Sequence, residues 1–141
     1  MRTAIDTNVI SALWSREPGA AEMAKLLGQA QNEGGLVISA PVYVELLAHP
    51  KASANFVDRF LVETSVTTDF NFSEAIWREA ARAFADHSGR RRKGTRNSPK
   101  RLLADFLIGA HAFLEADRLL TLDPSRYQAD FPGLQLIPQP D

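Results

Sequence analysis

Residues 3–11 read TAIDTNVIS and contain the transition from a first strand to a first helix. The first part of this stretch is short and mostly apolar, as in a buried strand, and apolar residues then recur at helical spacing, with Val9, Ile10 and Leu13 on one side. Asp6 lies at the junction, where a carboxylate can cap the helix or face a ligand beyond the strand end. The stretch predicts a strand, a carboxylate and a helix through Ser15.

The rest of the chain repeats this alternation of short apolar runs and longer amphipathic segments, which is typical of a parallel sheet covered by helices. Further helices are predicted to begin at Pro18, Pro41 and Ser73, and residues 88–99 are predicted to be a loop because they are rich in Gly, Ser, Asn and Arg. The sequence therefore predicts an α/β fold, with four more strands at 36–39, 65–68, 119–123 and 134–137 and another helix over 102–116.

Length and composition set limits on the protein class. The 141 residues, 45% hydrophobic and 23% charged, suit one globular domain over residues 1–141. The chain has no cysteine, which excludes disulfides and thiolate metal sites, so any metal must be held by oxygen or imidazole ligands. There is no P-loop motif, no signal-peptide pattern and no run of membrane-spanning length, and we expect a cytoplasmic protein that does not associate with membranes.

The net charge of −1 hides an uneven distribution. Seven basic residues and no acidic one lie between positions 90 and 101, which leaves 9 basic against 17 acidic residues elsewhere. Such a segment can bind a polyanion, since phosphate neutralisation releases counterions, or it can be a solvated loop whose charges only keep it soluble. Both readings stay open, and the first gives candidate RNA contacts at Arg90, Arg91, Arg92, Lys93 and Arg96.

Four acidic residues lie in apolar surroundings: Asp6, Glu45, Asp105 and Asp123. Asp6 and Asp123 close predicted strands, and the carboxyl ends of parallel strands meet at one edge of a sheet, where ligands bind. Glu45 and Asp105 belong to helices that can face the same crevice, and the small Gly109 is expected to leave room beside Asp105. Carboxylates crowded in this way repel each other unless a cation neutralises them, and a hard divalent ion is suited to that role.

Each acid also has a purely structural interpretation. Asp6 can be a helix N-cap, and the pair Asp123-Pro124 can simply begin a turn. Glu45 can form an ion pair with a nearby Lys or Arg, and Asp105 can interact with the dipole at the start of its helix. The four together are harder to explain in this way than any one of them.

The residues resemble those of a known family. Residues 5–11 are similar to the opening motif of PIN domains, in particular of the VapC toxins of bacterial toxin–antitoxin pairs. Residues 103–112 resemble the central acidic helix of that family, and residues 121–123 followed by Tyr127 resemble its last strand and acid. Glu45 follows the second strand, where the family keeps its glutamate. The resemblance spans essentially the whole chain in the right order.

This resemblance implies a three-layer α/β/α fold with a central parallel sheet of four to five strands. It also implies a Mg²⁺- or Mn²⁺-dependent endoribonuclease, a cognate VapB-like antitoxin as partner and a homodimer. It assigns metal binding and catalysis to Asp6, Glu45, Asp105 and Asp123, and the orientation of a carboxylate or a water to Asn8 and Thr121.

Three aromatic side chains are given structural roles. His111 departs from the family pattern and is interpreted as structural rather than as a substrate contact, and Trp14 and Trp77 are predicted core residues.

A receiver-like phosphoryl-transfer domain would need a lysine at a later strand end, but no lysine follows Lys100. A catalytically silent PIN fold that binds nucleic acid or protein is the alternative to the nuclease.

Overall fold

The computed structural model describes residues 1–93 and 102–140. Within these residues the chain forms a parallel sheet of five strands in the order β3-β2-β1-β4-β5, with helices on both faces. The predicted α/β fold with a central parallel sheet is therefore confirmed. The strands are β1 (Thr3–Ile5), β2 (Leu36–Ser39), β3 (Val66–Asp69), β4 (Arg118–Leu120) and β5 (Leu136–Ile137).

Seven helices connect these strands in the described residues, and several begin at residues suited to a helix start. Pro41 lies in the first turn of its helix, and the Ser53 and Ser73 hydroxyls accept hydrogen bonds from the N–H groups of Phe56 and Ile76. The helices are α1 (Thr7–Ser15), α2 (Ala20–Glu33), α3 (Ala40–Leu46), α4 (Ala54–Glu63), α5 (Glu74–Arg92), α6 (Leu103–Glu115) and α7 (Pro124–Asp130).

The central strands are buried on both faces, as expected for a parallel sheet between two helical layers. Trp14 belongs to the core, as predicted, and packs against the rings of Phe56 and Phe60. The same prediction for Trp77 is wrong. Its side chain is 51% exposed on α5, where its ring meets that of Phe72 at 66° with ring centroids 5.7 Å apart. No helix in the described part of the chain is long and apolar enough to span a membrane.

The fourth strand, predicted over residues 119–123, ends at Leu120, so Asp123 does not close it. Two further segments differ from the sequence prediction. Residues 88–92 were predicted to be a loop, but α5 continues through Arg92 and places three arginines in its last turn, where the helix dipole favours positive charge. The remainder of that predicted loop, residues 94–99, lies outside the described residues. Helix α7 was not predicted, because Asp123 and Pro124 indicated only a turn. Both segments take part in ion pairs that local sequence cannot reveal.

The strand order places a switch point next to the central strand. From β1 the chain builds outward to β2 and β3 on one side, and it later adds β4 and β5 on the other side. At such a point the connections leave in opposite directions and open a crevice at the carboxyl edge of the sheet. Asp6 directly follows β1, and Thr121 directly follows β4. The fold therefore brings these two side chains together.

Candidate metal centre

Asp6 lies at the centre of the site, between β1 and α1. Its Oδ1 accepts a hydrogen bond from the Thr7 N–H at 2.8 Å, and its Oδ2 accepts one from the Thr121 hydroxyl at 2.8 Å. Asp6 is thus the N-cap of α1, which was its structural interpretation, yet its residue is only 6% exposed and lies at the switch point. Among the described residues no cationic side chain forms an ion pair with it.

The surroundings of Asp6 disfavour its ionised form. Burial raises the pKa of Asp6 from 3.8 to about 6, and the negative charge of Asp105 acts in the same direction. Hydrogen bonds from Thr121, Tyr127 and the Thr7 N–H lower the pKa and limit the shift. Because a divalent cation would reverse the effect of both burial and Asp105, the carboxylate is suited to bind one.

Glu45 reaches the same edge from α3. The Thr7 hydroxyl donates a hydrogen bond to Glu45 Oε1 at 2.6 Å, so a single residue links Glu45 to Asp6. Glu45 is partly buried, and no Lys or Arg of the described residues pairs with it. The ion pair considered from the sequence is not formed in this part of the chain.

Asp105 and Asp123 share one partner, Arg126 on the first turn of α7. Arg126 Nη2 donates to Asp105 Oδ2 at 2.7 Å, and Arg126 Nη1 lies 3.6 Å from Asp123 Oδ2. Asp105 is in the first turn of α6, and Asp123 is the residue that caps α7. The structure thus brings Asp6, Glu45, Asp105 and Asp123 to one edge of the sheet, and these four are called the carboxylate cluster below.

Asn8 and Thr121 connect the two sides of the cluster. The Asn8 amide nitrogen lies 3.5 Å from both Thr121 Oγ1 and Asp123 Oδ2, and its oxygen accepts from the Leu122 N–H at 3.2 Å. Thr121 Oγ1 accepts from the Asp123 N–H at 3.0 Å while it donates to Asp6. These contacts suit the orienting role that the family resemblance implies for both residues.

The space beside Asp105 is filled differently from the sequence expectation. Gly109 was expected to leave room next to the carboxylate, but the ring of Phe131 packs there, and a Cβ at position 109 would overlap it. The glycine therefore serves a close contact between α6 and the residue after α7, not an open cavity.

The basic residues proposed from the sequence divide into two kinds. Arg90 Nη2 lies 2.7 Å from Asp130 Oδ1, so this guanidinium is engaged within the protein. Arg91, Arg92 and Lys93 are exposed at the end of α5, and Arg96 lies outside the described residues.

Sequence reasoning missed Arg126 and also Asp69, a further acid at the same edge of the sheet. Asp69 ends β3, so the signal that identified Asp6 was present, but the strand was expected to stop one residue earlier. His111 Nε2 lies 3.0 Å from Asp69 Oδ2, and its ring stacks on Phe72. Burial raises the pKa of Asp69, but hydrogen bonds from His111 and the Asn71 N–H outweigh it and hold this pKa below its usual value. His111 is fully buried, and its structural role stays a prediction.

The residues of the cluster fit a hard divalent cation in their chemistry, since carboxylate oxygens are the ligands that Mg²⁺ and Mn²⁺ prefer. Their present arrangement is looser than a preformed cage. Within residues 1–93 and 102–140, no three acidic or histidine side chains are grouped closely enough to hold an ion together. Arg126 already lies between two of the carboxylates.

The chain is an α/β protein with a parallel sheet, and acidic side chains lie at the switch point on the carboxyl edge of that sheet. The family model of the PIN domain matches residues 3–132, and the chain belongs to that family. The resemblance read from the sequence is confirmed at this level.

Three solved structures share the fold. VapBC2 from Rickettsia felis, bound to a DNA fragment from their promoter, is similar at a TM-score of 0.70 and 20% identity, over 96% of this chain and 97% of the other. VapBC-1 from nontypeable Haemophilus influenzae is similar at a TM-score of 0.65 and 22% identity, over 96% of both chains. FitAcB from Neisseria gonorrhoeae is similar at a TM-score of 0.62 and 20% identity, over 95% of both chains. The comparison with curated proteins gives no match.

Proposed function

We propose that this PIN domain is a Mg²⁺- or Mn²⁺-dependent endoribonuclease that acts as the toxin of a VapBC-type toxin–antitoxin pair. The observation that carries the proposal is the carboxylate cluster, where Asp6 is buried beside Asp105 with neutral hydrogen-bond donors as its partners. Family membership and the similarity in fold to VapBC complexes support the same assignment.

Asp6, Glu45, Asp105 and Asp123 are the residues that would hold the metal. When bound there, the metal would lower the pKa of a coordinated water and offset charge on the phosphodiester. Thr121 donates a hydrogen bond to Asp6 Oδ2 and accepts one from the Asp123 N–H, which orients the Asp6 carboxylate and fixes it to the backbone that carries Asp123. Glu45, held by the neutral Thr7 hydroxyl, is suited to accept a proton from the attacking water.

The RNA backbone would be bound by the basic end of α5. Arg91, Arg92 and Lys93 are exposed there, and Arg96 follows in sequence. Contacts of this kind position a nucleic acid without reading its sequence. Sequence choice would then come from unpaired bases, which proteins read far more readily than paired RNA.

A VapB-like antitoxin, a homodimeric assembly and a cytoplasmic location complete the proposal. The neighbours in fold are VapBC complexes, which supports an antitoxin partner. The outer sides of α5 and α6 carry the exposed apolar side chains of Trp77, Phe84 and Leu103, which is the kind of surface that protein partners cover. Co-expression with a small protein encoded immediately upstream, followed by size-exclusion chromatography with light scattering, tests both the partner and the stoichiometry.

The central experiment is the sequencing of RNA ends after brief expression of the wild-type protein, Asp6→Asn and Asp105→Asn. Both variants are expected to lose at least about 99% of metal-dependent cleavage, since each removes a charged metal ligand, while circular dichroism shows an intact fold. Asp58→Asn, an exposed carboxylate of α4 that accepts a hydrogen bond from Tyr43, is the matched control and should cut normally. Undiminished cleavage by both site variants would defeat the assignment.

A catalytically silent PIN module is the second candidate function. The ion pairs of Arg126 with Asp105 and Asp123 favour it, because they neutralise two carboxylates without a metal. Purified protein that binds RNA but leaves it uncut in Mg²⁺ and in Mn²⁺ would support this alternative.

A further inference from the structure

Arg126 is the cationic side chain of the described structure that contacts the carboxylate cluster. Its guanidinium lies 2.7 Å from Asp105 Oδ2 and 3.6 Å from Asp123 Oδ2, through two different nitrogens. The backbone of Arg126 is held beside the cluster, because its N–H donates a hydrogen bond to the Asp123 carbonyl oxygen at 3.2 Å. The Arg126 side chain is 38% exposed, so it can move without unpacking the core.

The position of Arg126 conflicts with metal binding by the same two carboxylates. An oxygen of Asp105 that accepts a charge-assisted hydrogen bond at 2.7 Å is not available to coordinate a divalent ion in that direction. A cation bound between Asp105 and Asp123 would also repel the guanidinium at close range. Metal and guanidinium are therefore alternative counter-ions for these two side chains.

The same geometry suggests where the guanidinium goes when it leaves. Arg126 stays tethered at the first turn of α7, beside the cluster and open to solvent. A phosphodiester bound at the metal would be the nearest new anion, and the planar guanidinium fork matches phosphate oxygens in a bidentate way.

We propose that Arg126 is an exchangeable counter-ion. It neutralises Asp105 and Asp123 while no divalent ion is bound, and it transfers to the phosphate group of the substrate when the ion replaces it. This inference deepens the proposed function and rests on it, since it assumes that the carboxylate cluster binds the metal.

The first test measures metal binding without any reaction. Mn²⁺ affinity is determined by calorimetry and by electron paramagnetic resonance for the wild type, Arg126→Gln and the control Arg78→Gln, an exposed α5 residue paired with Glu74. Removal of the competing cation should tighten Mn²⁺ binding by about tenfold in Arg126→Gln and leave Arg78→Gln like the wild type. Unchanged or weaker Mn²⁺ binding by Arg126→Gln would overturn the proposal.

A second measurement follows the guanidinium directly. In a ¹⁵N-labelled wild-type sample, Mg²⁺ should shift the side-chain Nε–H signal of Arg126, with the same midpoint as metal binding, and should leave that of Arg78 in place. An Arg126 signal that stays constant while Mg²⁺ saturates the protein would contradict the exchange.

The transfer to phosphate is tested with 5′-AMP, a phosphate monoester that an endonuclease does not cleave. At saturating Mn²⁺, Arg126→Gln should bind 5′-AMP about tenfold more weakly than the wild type, and without metal the two proteins should bind it equally. Equal affinities at saturating Mn²⁺ would reject the transfer. A wild-type protein that passes all these tests but cuts no RNA would refute the nuclease proposal and not the exchange. If Asp105→Asn abolishes RNA cleavage while Arg126→Gln leaves it unchanged, the exchange alone is refuted.

Discussion

Two buried aspartates in this protein have opposite surroundings. Asp130, at the end of α7, has a side chain that is only 1% exposed, and it is paired with Arg90 at 2.7 Å, with His87 Nδ1 at 3.6 Å. Asp6, at the end of β1, is also buried, but its partners are two hydroxyls and a backbone N–H, and Asp105 adds a further negative charge nearby. Asp130 is paired with a cation, and within residues 1–93 and 102–140 Asp6 is not.

The difference separates stability from function. Removal of one partner from a compensated buried pair leaves a charge unpaired in the interior, and the free energy of unfolding falls. An uncompensated buried carboxylate already costs stability, and natural proteins keep such groups where a ligand will supply the missing charge. The pair Asp130–Arg90 is thus an element of the fold, whereas Asp6 has the surroundings expected of a ligand-binding residue. The following experiments test this contrast.

The largest effect is expected from metal binding. At a free Mn²⁺ concentration about 100 times the dissociation constant, the free energy of unfolding should rise by about 2.7 kcal/mol, since the ion binds the folded chain. Urea denaturation with Mn²⁺ or with EDTA measures the rise, and Asp105→Asn should remove most of it. Asp130→Asn, which alters the compensated region, should keep it. An equal loss in both variants would erase the contrast.

Asp6→Asn should stabilise the metal-free protein at pH 8. The pKa of Asp6 is raised from 3.8 to about 6 in the folded state, so its charged form opposes folding above pH 6, and this penalty disappears as the pH falls below 4. A shift of about two units corresponds to at most about 3 kcal/mol, and we expect about 2 kcal/mol because asparagine has one carbonyl oxygen fewer to accept hydrogen bonds.

The measurement for Asp6 is the free energy of unfolding of both proteins from pH 4 to pH 8 in EDTA. At pH 4 Asp6→Asn should be the less stable protein, because only the lost hydrogen bond counts there. The two curves should cross between pH 4 and pH 6, and above pH 6 the advantage of Asp6→Asn should stay constant. Asp58→Asn, at an exposed position, should follow the wild type throughout. A destabilised Asp6→Asn at pH 8 would show that the carboxylate is already compensated.

Arg90→Ala should destabilise the fold by about 1.5 kcal/mol, because it removes a cation from the buried Asp130; half-exposure of Arg90 places the value below that of a fully buried pair. The matched control is Arg78→Ala, an exposed ion pair on the same helix, with an expected change under about 0.5 kcal/mol. Equal losses in urea denaturation would mean that Asp130 does not depend on Arg90.

The smallest effect concerns the end of α5. Arg92→Ala and Lys93→Ala should each reduce the slope of log affinity against log salt by about 0.7 for single-stranded RNA, since each removes one phosphate contact. Arg59→Ala, an exposed residue on α4, is the control. Fluorescence anisotropy over a range of salt concentrations gives the slopes, and unchanged values in both variants would exclude the end of α5 as an RNA contact.

The predictions from sequence failed at residues whose partners are distant in the chain. Arg90 was assigned to a loop, yet it lies in a helix and is bonded to Asp130, 40 residues away. Arg126 was not considered at all, since its partner Asp105 is 21 residues earlier on another helix. Polar composition describes a segment alone, and it cannot report an ion pair that the packing of two helices creates.

Local sequence was enough to predict the alternation of strands and helices and the position of Asp6 at a strand end, because hydrophobic periodicity is a local property. Parallel strands place the residues that follow them at one edge of the sheet. That Asp6 and Thr121 are neighbours there depends on the pairing of β1 with β4, which the sequence did not predict. Tertiary structure alone decided the charge balance at this edge. The distance of Arg126 from two carboxylates depends on how α6 and α7 pack, and electrostatic energies change steeply over such distances.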